Sequence, residues 1–436
     1  MSTLLAPLRL APFRRLALGR AVAMLGNGGA PIALAFAVLR TTGSPTQLGL
    51  VVAVRSLFNV AFVLFGGVLA DRLPRRLVLV GSSALSAASQ GALAALVLTH
   101  HATVPWILAL SACNGAFAAF AMPASSALLP QTVPDELRRQ ANALNRMAAN
   151  GAMIGGAALG GAVVAAAGPG WGLAIDATTF ALSGLLFAGV RVRPTTALAQ
   201  ESSPTSAGTG MLHELRVGWQ EFVARRWVWT IVATFCFLNA AYSGAVGVLG
   251  PTIADKSFGS GGWGLVLAGE TVGMLVGGVL GLRLRPQRPL LVGVVCMAGC
   301  ALLPFGLALG VPVAVLAGMN FLAGVGVEQG GIAWETSLQQ EIPEDRLARV
   351  YSYDALGSFV AIPLSQAAVG PLSAAIGVRT TLFGAAVVIL GCTVAMLAVR
   401  DVRALRIKTA GPAASPAAGP VSASVSAAAC QLGEPK

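Results

Sequence analysis

Charge is scarce in this chain. Asp, Glu, Lys and Arg make up 11% of 436 residues, where soluble domains carry about 25%. With 56% hydrophobic residues and a mean hydropathy of +0.76, that excludes a fold that hides its apolar surface from water. Metal-building residues are scarce too: the three histidines (His100, His101 and His213) lack metal-ligand spacing. None of the six cysteines forms a CxxC pair; Cys113, Cys236, Cys296, Cys300 and Cys392 lie in apolar runs and Cys430 in the tail. They read as packing thiols, and no cofactor is expected. There is no phosphate-binding P-loop and no nucleophile triad, so neither ATP drive nor an enzyme is expected. The net charge of +12 comes without a nucleic-acid motif, and the Arg residues form short clusters between apolar runs. Arg9, Arg14 and Arg15 precede the first long run with no small-residue cleavage site after a short one, so the N-terminus does not read as a signal peptide.

What is abundant is apolar runs of membrane length, about 20 residues each. They predict spans over 17–39, 47–70, 77–99, 104–129, 147–167, 171–190, 228–250, 263–282, 289–309, 312–338, 351–375 and 380–399. The 53 glycines fit membrane helices, where small residues let backbones approach. Gly151/Gly155 and Gly156/Gly160 have the spacing for such contacts. The fold class expected is an all-α membrane protein of twelve transmembrane helices in two six-helix halves.

Basic residues set the orientation. Of 29 Lys and Arg, 24 fall on the side of the termini, from Arg9 through Arg146 and Arg226 to Lys436. Arg40, Lys256 and Arg379 fall on the other side, and Arg20 and Arg55 lie within spans. Both termini are therefore expected in the cytoplasm, with the chain in a bacterial inner membrane. Four regions follow: an N-terminal half over 1–190, a cytoplasmic linker over 191–227, a C-terminal half over 228–400 and a disordered tail over 401–436. Within the linker, Leu212, Leu215, Trp219, Phe222, Val223 and Arg226 have near-helical spacing and predict a short amphipathic helix on the membrane surface.

The halves repeat. Gly66-Gly67-Val68-Leu69 followed by Arg72-Leu73 matches Gly277-Gly278-Val279-Leu280 followed by Arg283-Leu284. The stretch from Leu129 to Pro134 matches that from Leu338 to Pro343. Halves of like orientation make a parallel repeat, which places a substrate site between them near the midplane.

The segment Gly67-Val-Leu-Ala-Asp71-Arg72-Leu-Pro74-Arg75-Arg76 resembles the signature between helices 2 and 3 of the major facilitator superfamily, with Pro74 in place of the second Gly. The resemblance implies gating by Asp71, Arg72, Arg75 and Arg76, with Asp71 facing the start of helix 11 near Val350 to Asp354. For Arg75 and Arg76, a purely topological role is the equal alternative. The stretch after helix 1 from Thr41 to Gly49, and that from Trp334 to Ser358, look like bacterial drug, macrolide and siderophore exporters. Span 4 lacks the Arg of many drug:proton antiporters, and the helix 5 antiporter pattern is partial. The function implied is secondary active export of a drug, antibiotic or other amphiphilic molecule, coupled to protons, by a monomer working through alternating access. Import of a small metabolite and siderophore export are the alternatives.

Ionisable groups within a bilayer are costly and therefore candidate functional groups. Those expected here are Arg20, Arg55, Asp176, Glu270, Glu328 and Glu335. Helices 1, 4, 7 and 10 line the cavity in the resembled family, which makes Glu328 the first candidate for binding a proton or cation, with an ion pair to Arg20 or Arg55 as the alternative. Glu335 lies two turns further on the same face and is equally read as a wet helix end. Glu270 aligns with Asn59 at an offset of 211 and reads as a proton-uptake group or a rim salt bridge. Arg20 with Asn27, and Arg55 with Asn59, make polar faces on helices 1 and 2. Asn114 and Asn239 add donors to the cavity or to helix packing. Asp176 is read as structural.

Overall fold

A backbone in hydrocarbon must satisfy its own polar groups, so each apolar run becomes a helix. A computed structural model describes residues 5–72, 74–190, 219–220, 222–284, 286–342 and 344–406. Among them are 12 helices long and apolar enough to cross a membrane. The first half contains α1 (Ala11–Thr42), α2 (Pro45–Arg72), α3 (Arg75–Leu98), α4 (Val104–Leu128), α5 (Arg138–Ala167) and α6 (Pro169–Ala188). The second contains α7 (Arg226–Lys256), α8 (Gly259–Arg283), α9 (Pro289–Leu309), α10 (Val313–Glu341), α11 (Glu344–Phe359, then Ile362–Ile376) and α12 (Val378–Ala398). The spans match the apolar runs but outlast them, since a helix continues past the hydrocarbon where water or caps meet its ends. α5 begins nine residues earlier than its apolar run, at Arg138 rather than 147. Arg146, counted with a loop in the sequence, therefore sits inside the helix. α7 is interrupted by a π turn over Ala245–Leu249, and α11 breaks at two turn residues ahead of Pro363.

An even number of spans brings both chain ends to one side, the terminal side. The turns on the opposite, far side are short and repeat between the halves. Left-handed residues fall at Gly43 and Gly259 after the first helix of each half, at His100 and Gly310 after the third, and at Gly168 and Gly377 after the fifth. A positive φ reverses the chain in few residues and favours glycine. The pair Gly168 and Gly377 lies at an offset of 209, the offset of the repeat read from the loops after spans 4 and 10.

Glycine also sets the helix spacing. A Cβ on Gly156 would run into the Leu25 backbone, and one on Gly160 into Gly29, so α5 lies directly against α1. The expected Gly151/Gly155 contact is absent: Gly151 meets open space, and Gly155 meets only the tip of Leu25. They fall on the face of α5 turned away from the close contact with α1.

Of the linker, Trp219, Gln220 and the residues from Phe222 onward are described. Leu212 and Leu215, the rest of the linker and the residues beyond 406 lie outside the described residues. Phe222 is buried and stacks near Trp219 and Tyr353, with centroids 5.7 Å and 5.8 Å away. This aromatic edge rests on Tyr353 of α11 in the second half. Arg226 opens α7.

Candidate translocation site between the halves

Apolar packing is uneven along the membrane normal. On the far side one buried cluster spans both halves, from Ile32–Leu39 and Leu48 to Val248, Trp263 and Leu382. On the terminal side the core divides, with Phe13, Leu79 and Leu128 in one cluster and Trp227, Trp334 and Met396 in another. The halves are thus fused at the far side and part toward the termini. Two glycine crossings make the seal. A Cβ on Gly161 of α5 would lie 2.7 Å from the Ser260 carbonyl and 2.9 Å from the Gly264 Cα of α8. One on Gly370 of α11 would lie 2.9 Å from the Pro45 carbonyl at the start of α2.

In the second half, Glu270 on α8 sits in a buried polar knot. Asn320 of α10, fully buried, donates to the Glu270 carboxylate at 3.3 Å and to the Val266 carbonyl at 2.9 Å. The Tyr242 hydroxyl of α7 donates to the Asn320 side-chain oxygen at 3.0 Å and also lies within hydrogen-bonding reach of Glu270. Three helices meet at one carboxyl, and the π turn of α7 begins three residues after Tyr242. A π turn is a register shift in the helix and recurs at functional positions.

The first half has its own buried polar group. Asp176 on α6 is 1% exposed, receives a hydrogen bond from Gln90 of α3, and feels the field of Arg55 on α2. Asn59 donates to the Gly115 carbonyl at 3.1 Å and Asn239 to the Ser358 carbonyl at 3.1 Å, both as helix-packing bonds. Asn114 is 1% exposed and neither side-chain atom has a protein partner among the described residues. Asn27 is half-buried on α1. The crossings refine the symmetry. Gly115 of α4 packs on the Arg55 carbonyl, and Gly324 of α10, its counterpart at offset 209, packs on the Glu270 carbonyl. Sequence offset equates Glu270 with Asn59; backbone crossing equates it with Arg55, one turn away.

Four charges face the parted region. Arg20 donates to Ser125 of α4 at 3.3 Å and lies within electrostatic reach of Arg146 on α5. Arg146 is exposed and acts on Glu328, which in turn feels the exposed Glu335. Glu328 lies against Gly277 and Gly278 of α8. Of the basic groups, Arg146 is the one whose field reaches Glu328. A separate pocket of about 470 Å³, bordered by Arg40, Leu98, His100 and Gly168, belongs to the far rim of the first half alone.

Two six-helix halves sealed at one side, with charges facing each other toward the other, are the architecture of a carrier. The sequence profile of the Major Facilitator Superfamily matches residues 16–366. The chain belongs to this superfamily. No curated protein sequence matches it. Among solved structures, the nucleoside transporter NupG superposes with a TM-score of 0.69 at 15% identity, over 89% of this chain and 98% of that one. A bacterial homologue of the human lysosomal transporter Spinster, inward-facing and unoccupied, gives 0.71 at 16% identity, over 92% and 98%. A bacterial homologue of the iron transporter ferroportin, in an inward-facing state, gives 0.67 at 17%, over 89% and 98%. At such identities the likeness is one of fold.

The superfamily signature ends α2 at Asp71 and Arg72, whose side chains lie outside the described residues. Arg76 donates to the Ala188 carbonyl and Arg15 to the Gly189 carbonyl, so both cap the C-terminus of α6 within the first half. Cations suit that end of a helix dipole. Arg75 is half-buried at the start of α3. The Asp354 carboxylate is engaged within the second half, by the Trp334 indole at 2.9 Å and Ser358 at 3.0 Å. In this superfamily member the sequence missed Tyr242, Asn320 and Arg146. Tyr242 is one of three tyrosines, and Asn320 is a polar residue in an apolar run, as Asn114 and Asn239 are.

Proposed function

We propose that the chain is a proton-coupled exporter of amphiphilic small molecules, working as a monomer in a bacterial inner membrane with both termini in the cytoplasm. The observation that carries this reading is the lopsided seam: one apolar core across both halves at the far side, two separate cores at the terminal side. With cytoplasmic termini, the cavity opens inward and receives substrate from the cytoplasm or inner leaflet. Rocking of the halves then breaks the Gly161 and Gly370 contacts and opens the far side.

Glu270 is the proton carrier in this reading. A carboxyl buried in hydrocarbon is far cheaper to hold neutral than charged, and Asn320, itself held by Tyr242, supplies a hydrogen bond to the charged form. Loss of the proton strengthens that knot; protonation loosens it and frees α7 at its π turn. Glu328 and Glu335 serve recognition in the seam. Asp71 and Arg72 hold the terminal side when it closes, against the start of α11. The test is transport in inverted vesicles with an acidic lumen and a panel of amphiphilic drugs. Accumulation that a protonophore abolishes is expected. Uptake by intact cells along the proton gradient instead would identify an importer.

A further inference from the structure

The seam between the two halves is closed by one apolar core above and flanked by two separate cores below. Above, Ala157 and Gly161 pack on Ser260 and Gly264. Below, the apolar cores of the two halves are separate, and the charges gathered there have opposite sign on the two halves. Arg20 and Arg146 belong to the first half, Glu328 and Glu335 to the second. No ion pair joins Arg146 to Glu328 among the described residues, although each lies in the other's field. The arrangement is graded by burial: Arg20 and Glu328 are half-buried toward the membrane interior, Arg146 and Glu335 exposed toward the terminal side. Glu328 lies close over the bare backbone of Gly277, where a Cβ would come within 2.9 Å of its own Cβ.

Placing like charges together on each wall costs repulsion, and keeping the half-buried Arg20 and Glu328 at the seam costs desolvation. A solute carrying one sign of charge would relieve only one wall. A solute carrying both would satisfy the two walls at once and draw the halves together as it bound. On the reading that the chain is a carrier, we infer that Arg20 and Arg146 with Glu328 and Glu335 form a two-pole site for a zwitterionic small molecule. Its acidic group lies on the first half and its ammonium on the second. The substrate class is narrower than amphiphilic or cationic: it carries both charges.

The test uses the full chain in lipid nanodiscs, at fixed pH without a gradient, and reads binding by competition among matched probes. An aromatic dipeptide supplies the zwitterion, its methyl ester the ammonium alone, and its N-acetyl form the carboxylate alone. The zwitterion is expected to bind about tenfold more tightly than either partner, since each lost charge contact leaves a wall unmatched. Arg146→Gln should bring the ester level with the zwitterion, Arg146→Lys should keep the wild-type order, and Glu328→Gln should bring the N-acetyl form level. Equal binding of the three forms, binding of none, or an order unchanged by Arg146→Gln would overturn the two-pole site; equal binding would mark the charges as serving only to draw the halves together. Because no gradient is present, the outcome is independent of proton coupling and of transport direction.

Discussion

At the scale of single residues, the polar groups of the membrane interior divide into those that hold helices together and those poised to change state. Asn59 and Asn239 each make one bond to a carbonyl of a neighbouring helix. Asn320 does more, since it joins Tyr242, Glu270 and the Val266 carbonyl. Replacing Asn320 with Ala is expected to lower stability by about 1–2 kcal/mol, against about 0.6 for Asn59→Ala, following the range of interhelical bonds in membranes. Unfolding in mild detergent measures both. Tyr242→Phe removes one donor and keeps the ring; it is expected to leave the protein folded while weakening the dependence of transport on the proton gradient. Glu270, Glu328 and Arg20 were legible in the sequence because a charge in an apolar run stands out. Arg146 was not, because it precedes the apolar stretch of α5 and only the helix start at Arg138 brings it into the seam.

At the scale of elements, helix identity was legible and helix partnership was not. Runs of apolar residues and basic clusters between them fix twelve spans. The sequence could not say which glycines face a neighbour: Gly151 and Gly155 have the same spacing as Gly156 and Gly160, yet only the second pair meets α1 closely. That choice depends on helix rotation, which packing decides. The far-side crossing is the sharpest case. Gly161→Leu or Gly264→Leu would push a side chain into a backbone less than a van der Waals contact away, at a cost of about 1–3 kcal/mol to the sealed state. The expected result is a shift toward far-side opening, read as a longer distance between spin labels on the far ends of α5 and α8. Gly151→Leu, which meets open space, should leave that distance unchanged.

At the scale of the whole molecule, the repeat was legible from two short motifs, and the three pairs of left-handed turns extend it to every far-side junction. The state of the carrier was not legible, since one sequence must serve both open forms. The sealed far side brings Thr46 against Gly370, where a Cβ would lie 2.5 Å from the Thr46 Cα, so Gly370→Leu is expected to shift the carrier toward far-side opening, read as a longer distance between spin labels on the far ends of α2 and α11. In the proposed cycle the gradient drives the carrier through Glu270. The most direct measurement of this coupling is proton release from acid-loaded inverted vesicles on adding a transported substrate. The expected result is substrate-triggered alkalinisation of the lumen in the wild type and none in Glu270→Gln. Equal alkalinisation in both, or transport in the wild type with no proton movement, would contradict it.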